Sequence, residues 1–203
     1  AVIVEATDKP AGVMSFVLGS DGSQAEHLIL HGGGSVNPPT HAMIDKRQQY
    51  LYMNGREVFK FATRVLGSAL KEAIHKAELT VDEIDLLIPH QANLRIIESA
   101  ARKVKLPREK VYVNIEKYGN TSAASIPIAL CEALDSGRVH IGDTIACVAF
   151  GAGLTWASTV IKLTERDVRE KPKRWRLPFF RWFSRTGGKN GDKNSKEAQA
   201  ALV

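Results

Sequence analysis

Between residues 56 and 79, apolar side chains return at three- and four-residue steps, with Val58, Phe61, Ala62, Val65, Leu66 and Ala69 opening a series that ends at Ala77. That spacing makes one wide apolar stripe and predicts a long amphipathic helix. Thr80-Val81-Asp82-Glu83 then fits a capping box. Residues 84–88 hold Leu86-Leu87-Ile88, a continuous apolar run expected of a strand buried on both faces. After His90 the helical period resumes to about residue 105, with Leu94, Ile97, Ala100, Ala101 and Val104 facing inward. Pro107 opens a short turn, as proline suits a first helical position. Residues 111–115 predict a further strand that leads to a loop at Asn120. Thr121 or Ser122 can cap the next helix, which reaches about residue 134 with Pro127 in its first turns. Residues 144–150 and 155–163 read as two strands around Gly151-Ala152-Gly153. Upstream, residues 1–6 and 13–18 predict a hairpin across Asp8-Lys9-Pro10-Ala11-Gly12. Residues 27–31 read as a short strand and residues 32–40, with three glycines and two prolines, as loop. The sum is one α/β unit, a mixed sheet with helices on both faces.

This layout puts two polar side chains just past predicted strands. His90 follows the run that ends at Pro89, and Asn120 follows residues 111–115 after a short polar stretch. Two parallel strands that finish at one edge of a sheet would bring the imidazole and the carboxamide together there. Ligands of open α/β sheets bind outside the carboxyl ends of the strands. Both groups can donate hydrogen bonds to a developing oxyanion.

The strings PHQANLRI (89–96), GNTSAAS (119–125) and AFGAGLTW (149–156) stand in an order and spacing that resemble the C-terminal half of β-ketoacyl-acyl carrier protein synthase III. The resemblance covers residues 1–163. It implies half of a thiolase-like fold and a decarboxylative Claisen condensation of an acyl-CoA starter with malonyl-acyl carrier protein in fatty acid biosynthesis. His90 and Asn120 would hold the thioester oxygen of the enolate formed when malonyl loses CO₂. An imidazole that is neutral and protonated on Nε2 suits that task, because it must donate a hydrogen bond rather than take a proton. The family's nucleophilic cysteine belongs to an N-terminal half that is not part of this sequence, so the chain alone is expected to be inactive. A related Cys-His-Asn condensing enzyme, of the type III polyketide or quinolone kind, is one alternative. A non-catalytic half-protein that binds a carrier protein is another.

Further residues take roles from the same resemblance. The backbone N–H of Ala152 would complete an oxyanion hole for the acyl-cysteine; the plainer reading of Gly151-Ala152-Gly153 is a tight turn. Asn93 matches a position that binds the pantetheine arm of CoA, although a residue there also suits a helix start. Phe59 and Phe150 would line the acyl pocket or simply fill the core. Arg56, Lys60, Arg95, Arg102 and Lys103 offer positive charge for an acidic acyl carrier protein, or a solvated face. His27, His31, His41, His75 and His140 stand without such company and read as structural. The CoA thioester and the carrier protein's phosphopantetheine are substrates; no cofactor is implied. A homodimer is expected of the complete enzyme.

Charge divides the 203 residues unevenly. Residues 164–203 hold eleven of the 28 Lys and Arg and five of the 22 Asp and Glu, which leaves seventeen of each in residues 1–163. The body is neutral, so the basic excess gives it no case for binding nucleic acid. The tail interleaves cations with Trp175, Phe179, Phe180, Trp182 and Phe183. That mixture suits peripheral contact with a lipid headgroup layer; an extension packed on its own subunit, or disordered at its end, is the alternative. No apolar run approaches the roughly 20 residues of a membrane span, and the first residues lack the basic start of a signal peptide. Two cysteines, Cys131 and Cys147, point to a reducing, cytoplasmic setting and read as buried thiols. GxxxxGK[ST], CxxC and HExxH are all absent, so neither metal nor nucleotide triphosphate chemistry has support.

Overall fold

The computed structural model describes Val2 and residues 6–164. The basic aromatic tail and the headgroup contact assigned to it lie outside the described residues. In chain order, β1 (Gly12–Ser20) is followed by β2 (Leu28–Leu30), α1 (His41–Asp45), β3 (Leu51–Met53) and α2 (Gly55–Lys76). Then come β4 (Leu86–Pro89), α3 (Leu94–Val104), α4 (Ile115–Tyr118), α5 (Ser125–Asp135), β5 (Thr144–Gly151) and β6 (Thr155–Lys162). Four strands form one mixed sheet in the order β1-β6-β5-β4, with β4 and β5 parallel and the other pairs antiparallel. β2 and β3 pair separately.

Alternation along the strands sends side chains to two cores. Leu87, Ala146, Val148, Val160 and Val17 face α2 and α3, where Ala62, Leu66, Leu70, Ala73, Ala100 and Val104 meet them. Leu86, Ile88, Ile145 and Cys147 face the other way, against Ala129 and Ala133 of α5. α2 and α3 can approach closely because Gly67 has no side chain. A Cβ there would fall 2.5–2.8 Å from the stem of Lys103, which crosses the gap and donates to Arg64 O and Ser68 Oγ at 2.7 and 3.0 Å. The predicted capping box is present, with Glu83 Oε2 accepting from the N–H and hydroxyl of Thr80 at 2.8 Å.

Two expectations need correction, and a third falls partly outside the described residues. Residues 13–18 form a strand that pairs with β6, while residues 1 and 3–5 of the expected hairpin lie outside the described residues. Residues 111–115 make only one bridge, Val111 to Leu87, and turn into α4. Gln91 explains this. Its side chain, 1% exposed, donates to Tyr112 O and accepts from Asn114 N, so an amide group stands where a neighbouring strand would bond. Neither Thr121 nor Ser122 caps α5 with its side chain; Asn120 Oδ1 instead accepts from Ser122 N. α1 and β3 had no predicted counterpart.

Among the described residues no helix is long and apolar enough to cross a membrane. No group of three His, Cys, Asp or Glu side chains among them could hold a metal ion.

Candidate active site

His90 leaves the carboxyl end of β4, and its N–H donates to Val148 O of β5 at 2.8 Å. The imidazole is half-buried. Its Nδ1 lies 2.6 Å from Ser125 Oγ at the start of α5, and the ring of Phe150 meets it edge-on at 5.8 Å between centroids. Burial lowers the His90 pKa below its ordinary value, because a desolvated imidazolium is disfavoured. Nε2 has no hydrogen-bond partner among the described residues. The side chain is therefore held through one nitrogen and presents the other.

Asn120 lies in the exposed turn before α5. Its Oδ1 accepts from Ser122 N at 2.9 Å, and its Nδ2 has no partner among the described residues. As with His90, one end of the side chain is tied and a nitrogen is left without a protein partner among the described residues. The two are linked through α5, which begins five residues after Asn120 with the serine that bonds His90. A second tie runs one element deeper. Asn114 Nδ2 donates to Glu132 Oε2 at 2.7 Å, while Asn114 N donates to Gln91 Oε1 at 3.0 Å. Glu132 also takes bonds from Lys117 and from Tyr118 Oη. These donors hold its carboxyl down at about 2, with the Lys117 ammonium the largest cause.

The turn between β5 and β6 carries Ala152, whose exposed N–H has no protein acceptor among the described residues. The turn is pinned from both sides. Leu154 and Asp21 exchange N–H···O bonds of 3.0 and 2.8 Å, and Thr155 Oγ1 donates to Ala152 O at 3.0 Å. Gly153 has φ +135°, and a Cβ on it would come within 2.6 Å of Thr155 Cγ2, so only glycine fits.

The other expected site residues are scattered. Asn93 caps α3, its Oδ1 accepting from Arg95 N at 2.9 Å. Phe59 is 37% exposed on α2 and shares no ring contact with His90 or Phe150; Phe61, two residues on, is buried against Trp156. Arg56, Arg95 and Arg102 are exposed, whereas Lys60 pairs with Glu57 at 2.7 Å and Lys103 bridges α3 to α2. A groove beside α3, lined by Leu94, Ile97, Ala101, Leu106, Val111 and Val113, contains neither His90 nor Asn120.

One of the two cysteines departs from expectation. Cys147 is buried, and burial pushes its thiol up to about 12. Cys131 is exposed. It sits two residues from Ala129 and Ala133, on the side of α5 away from the sheet. Sequence reasoning also missed Ser125, Gln91, Asn114 and Glu132 as site-building residues. The available signal for Ser125 was its four-residue spacing from Ala129 and Ala133, which marks the buried face of α5.

Sheet order, covering helices and the turns at His90 and Ala152 place the chain in the thiolase-like α/β class. A solved β-ketoacyl-[acyl-carrier-protein] synthase III from Thermus thermophilus superimposes with a TM-score of 0.68 at 49% identity, covering 78% of this chain and 48% of that one. The family described as 3-oxoacyl-[acyl-carrier-protein] synthase III C terminal matches residues 74–163. A synthase III from Roseiflexus sp. (strain RS-1) is 51% identical over 164 residues, 81% of this chain and 50% of the relative. One from Caldanaerobacter subterraneus is 49% identical over 162 residues, 80% and 49% of the respective lengths. The chain belongs to the β-ketoacyl-[acyl-carrier-protein] synthase III family and corresponds to its C-terminal half. It spans about half the length of the curated relatives it matches.

Proposed function

We propose that this chain supplies the enolate-stabilising half of a condensing acyltransferase of fatty acid biosynthesis. A cysteine from outside this sequence takes an acyl group from acyl-CoA and releases CoA thiol. Malonyl-acyl carrier protein then loses CO₂, and the electron pair of the broken C–C bond moves into the thioester as an enolate. His90 Nε2–H and Asn120 Nδ2–H donate to the enolate oxygen. The enolate carbon attacks the acyl-cysteine carbonyl, whose oxyanion accepts from the Ala152 N–H. The C–S bond breaks, leaving a 3-ketoacyl-carrier protein and a free thiolate. One observation carries this reading: His90 and Asn120 each have one polar atom tied to protein and a nitrogen left open to a ligand. Preorganised donors of this kind stabilise a transition-state oxyanion without reorganising.

Neither cysteine of the chain suits the nucleophile's task. Cys147 is held as a neutral thiol by burial, and Cys131 lies mid-helix, away from any helix N-terminus. Asn93 keeps its Nδ2 free for an amide carbonyl of pantetheine while its Oδ1 caps α3. Phe150, beside His90, fits the acyl pocket better than the outlying Phe59. Arg56, Arg95 and Arg102, with Lys60 beside them, offer a basic surface to the acidic acyl carrier protein, whereas Lys103 is engaged between helices. The working form is a cytoplasmic homodimer of the completed protein, with no metal or redox cofactor. To test the reading, this chain is completed with the N-terminal half of the Roseiflexus relative and given acyl-CoA and malonyl-acyl carrier protein. The completed protein is expected to make 3-ketoacyl product and the 203-residue chain none. Robust product from the chain alone, or none from a completed protein whose cysteine is acylated, contradicts it.

A further inference from the structure

We infer that Ser125 is a positioning residue that donates its hydroxyl hydrogen to His90 Nδ1 and so keeps the proton of the neutral imidazole on Nε2. The inference rests on the proposed role of His90 as an enolate donor and adds the group that sets its tautomer. Ser125 Oγ lies 2.6 Å from His90 Nδ1, and the same oxygen accepts from Gln91 N–H at 3.3 Å. Ser125 is 3% exposed, so its hydroxyl is largely shielded from bulk solvent. The remaining question is where the single hydroxyl hydrogen goes.

A helical serine ordinarily donates back to the carbonyl four residues earlier. Here that carbonyl, Thr121 O, takes Ala124 N–H at 3.1 Å, and the Ser125 hydroxyl is turned to His90 instead. Among the described residues Nδ1 is the sole acceptor within reach of the hydroxyl. With the proton on Nδ1, two N–H groups would point at Oγ, and a buried hydroxyl hydrogen would have no acceptor. Buried polar groups left unpaired are costly and rare. With the proton on Nε2, all three groups are satisfied. Phe150 packed on the ring limits its rotation, so the two nitrogens cannot simply exchange places.

The test reads the tautomer and the chemistry separately. In the full chain, long-range ¹H–¹⁵N spectra of labelled histidine, with His90 assigned by His90→Gln, are expected to show a bare Nδ1 and a protonated Nε2. Ser125→Ala should mix the two tautomers, and Ser125→Thr, which keeps a hydroxyl, should restore the parental pattern. In the completed enzyme Ser125→Ala should slow malonyl decarboxylation by less than the roughly 10²–10³-fold of removing the donor itself. It should leave cysteine acylation at the parental rate. A parental His90 protonated on Nδ1, or an unchanged tautomer in folded Ser125→Ala, overturns the inference whatever His90→Ala does to decarboxylation. If the tautomer shifts as expected while His90→Ala decarboxylates normally, the assignment of Ser125 stands and the enolate role of His90 fails.

Discussion

At His90, burial decides the charge of the imidazole. Its folded pKa lies below the unfolded value of about 6.5, so in the window between them the unfolded chain binds more protons than the folded one. The neutral ring's contribution to stability is fully present above about pH 6.5 and is lost as pH falls through the folded pKa. His90→Gln removes this titration. Urea denaturation followed between about pH 5 and 7.5 should give a flatter dependence in the variant; parallel curves for the two proteins would show that His90 is not desolvated. Residue identity carried much of this site in advance. His90 stood out because it ends a wholly apolar run beside a helix start, and Asn120 because it precedes one. Ser125 and Gln91 did not stand out, since a serine near a helix start reads as a cap and a glutamine as a surface residue. Only the packed structure shows Gln91 buried and bonding in place of a strand. Cys131 misled in the opposite direction. The run IPIALCEAL is apolar on almost every side, so composition could not tell the face that meets the sheet from the face that does not.

At the scale of elements, α2 and α3 hold the sheet face behind β4, and Gly67 sets their distance. Alanine in a helix interior is ordinarily favoured over glycine by about 1 kcal/mol. Here the added methyl meets the Lys103 stem, including its Cβ, which cannot swing away. Gly67→Ala is therefore expected to destabilise the chain, by about 1–3 kcal/mol as overpacking does. Thermal or urea melts check this, and an unchanged or raised midpoint would mean that the helices separate freely. The Glu132 cluster makes a second test. Its carboxyl is held well below the ordinary value, so its contribution is present above about pH 4.5 and lost as pH falls towards about 2. Glu132→Gln should lower the melting midpoint near neutrality and narrow the difference from the parent in acid; a constant difference would remove the ionic cause. Long periodic elements were legible: α2, α3, β5 and β6 lie within a few residues of their expected bounds. α1 and β3 were not, because five and three residues carry too little period to register.

For the whole molecule, the decisive feature is what the sheet leaves open. α5 covers β4 and β5, but on β1 the same side exposes Phe16 at 64% and Leu18 at 74%. Contiguous apolar surface of this kind promotes association. Phe16→Ser with Leu18→Ser should raise the concentration at which the isolated chain stays monodisperse in light scattering. Equal behaviour of the two forms would mean that this face is not the cause. The thiolase-like class was legible from three short motifs and the α/β order, while the open face was not, since alternating residues along a strand look the same covered or bare. The proposed mechanism divides labour between the acyl-accepting cysteine and the His90–Asn120 pair. The direct measurement is the rate of CO₂ release from malonyl-acyl carrier protein by the completed enzyme, set against its rate of cysteine acylation. His90→Ala and Asn120→Ala should each slow CO₂ release by roughly 10²–10³-fold while acylation stays near the parental rate. Parental CO₂ release in both variants would contradict this division of labour.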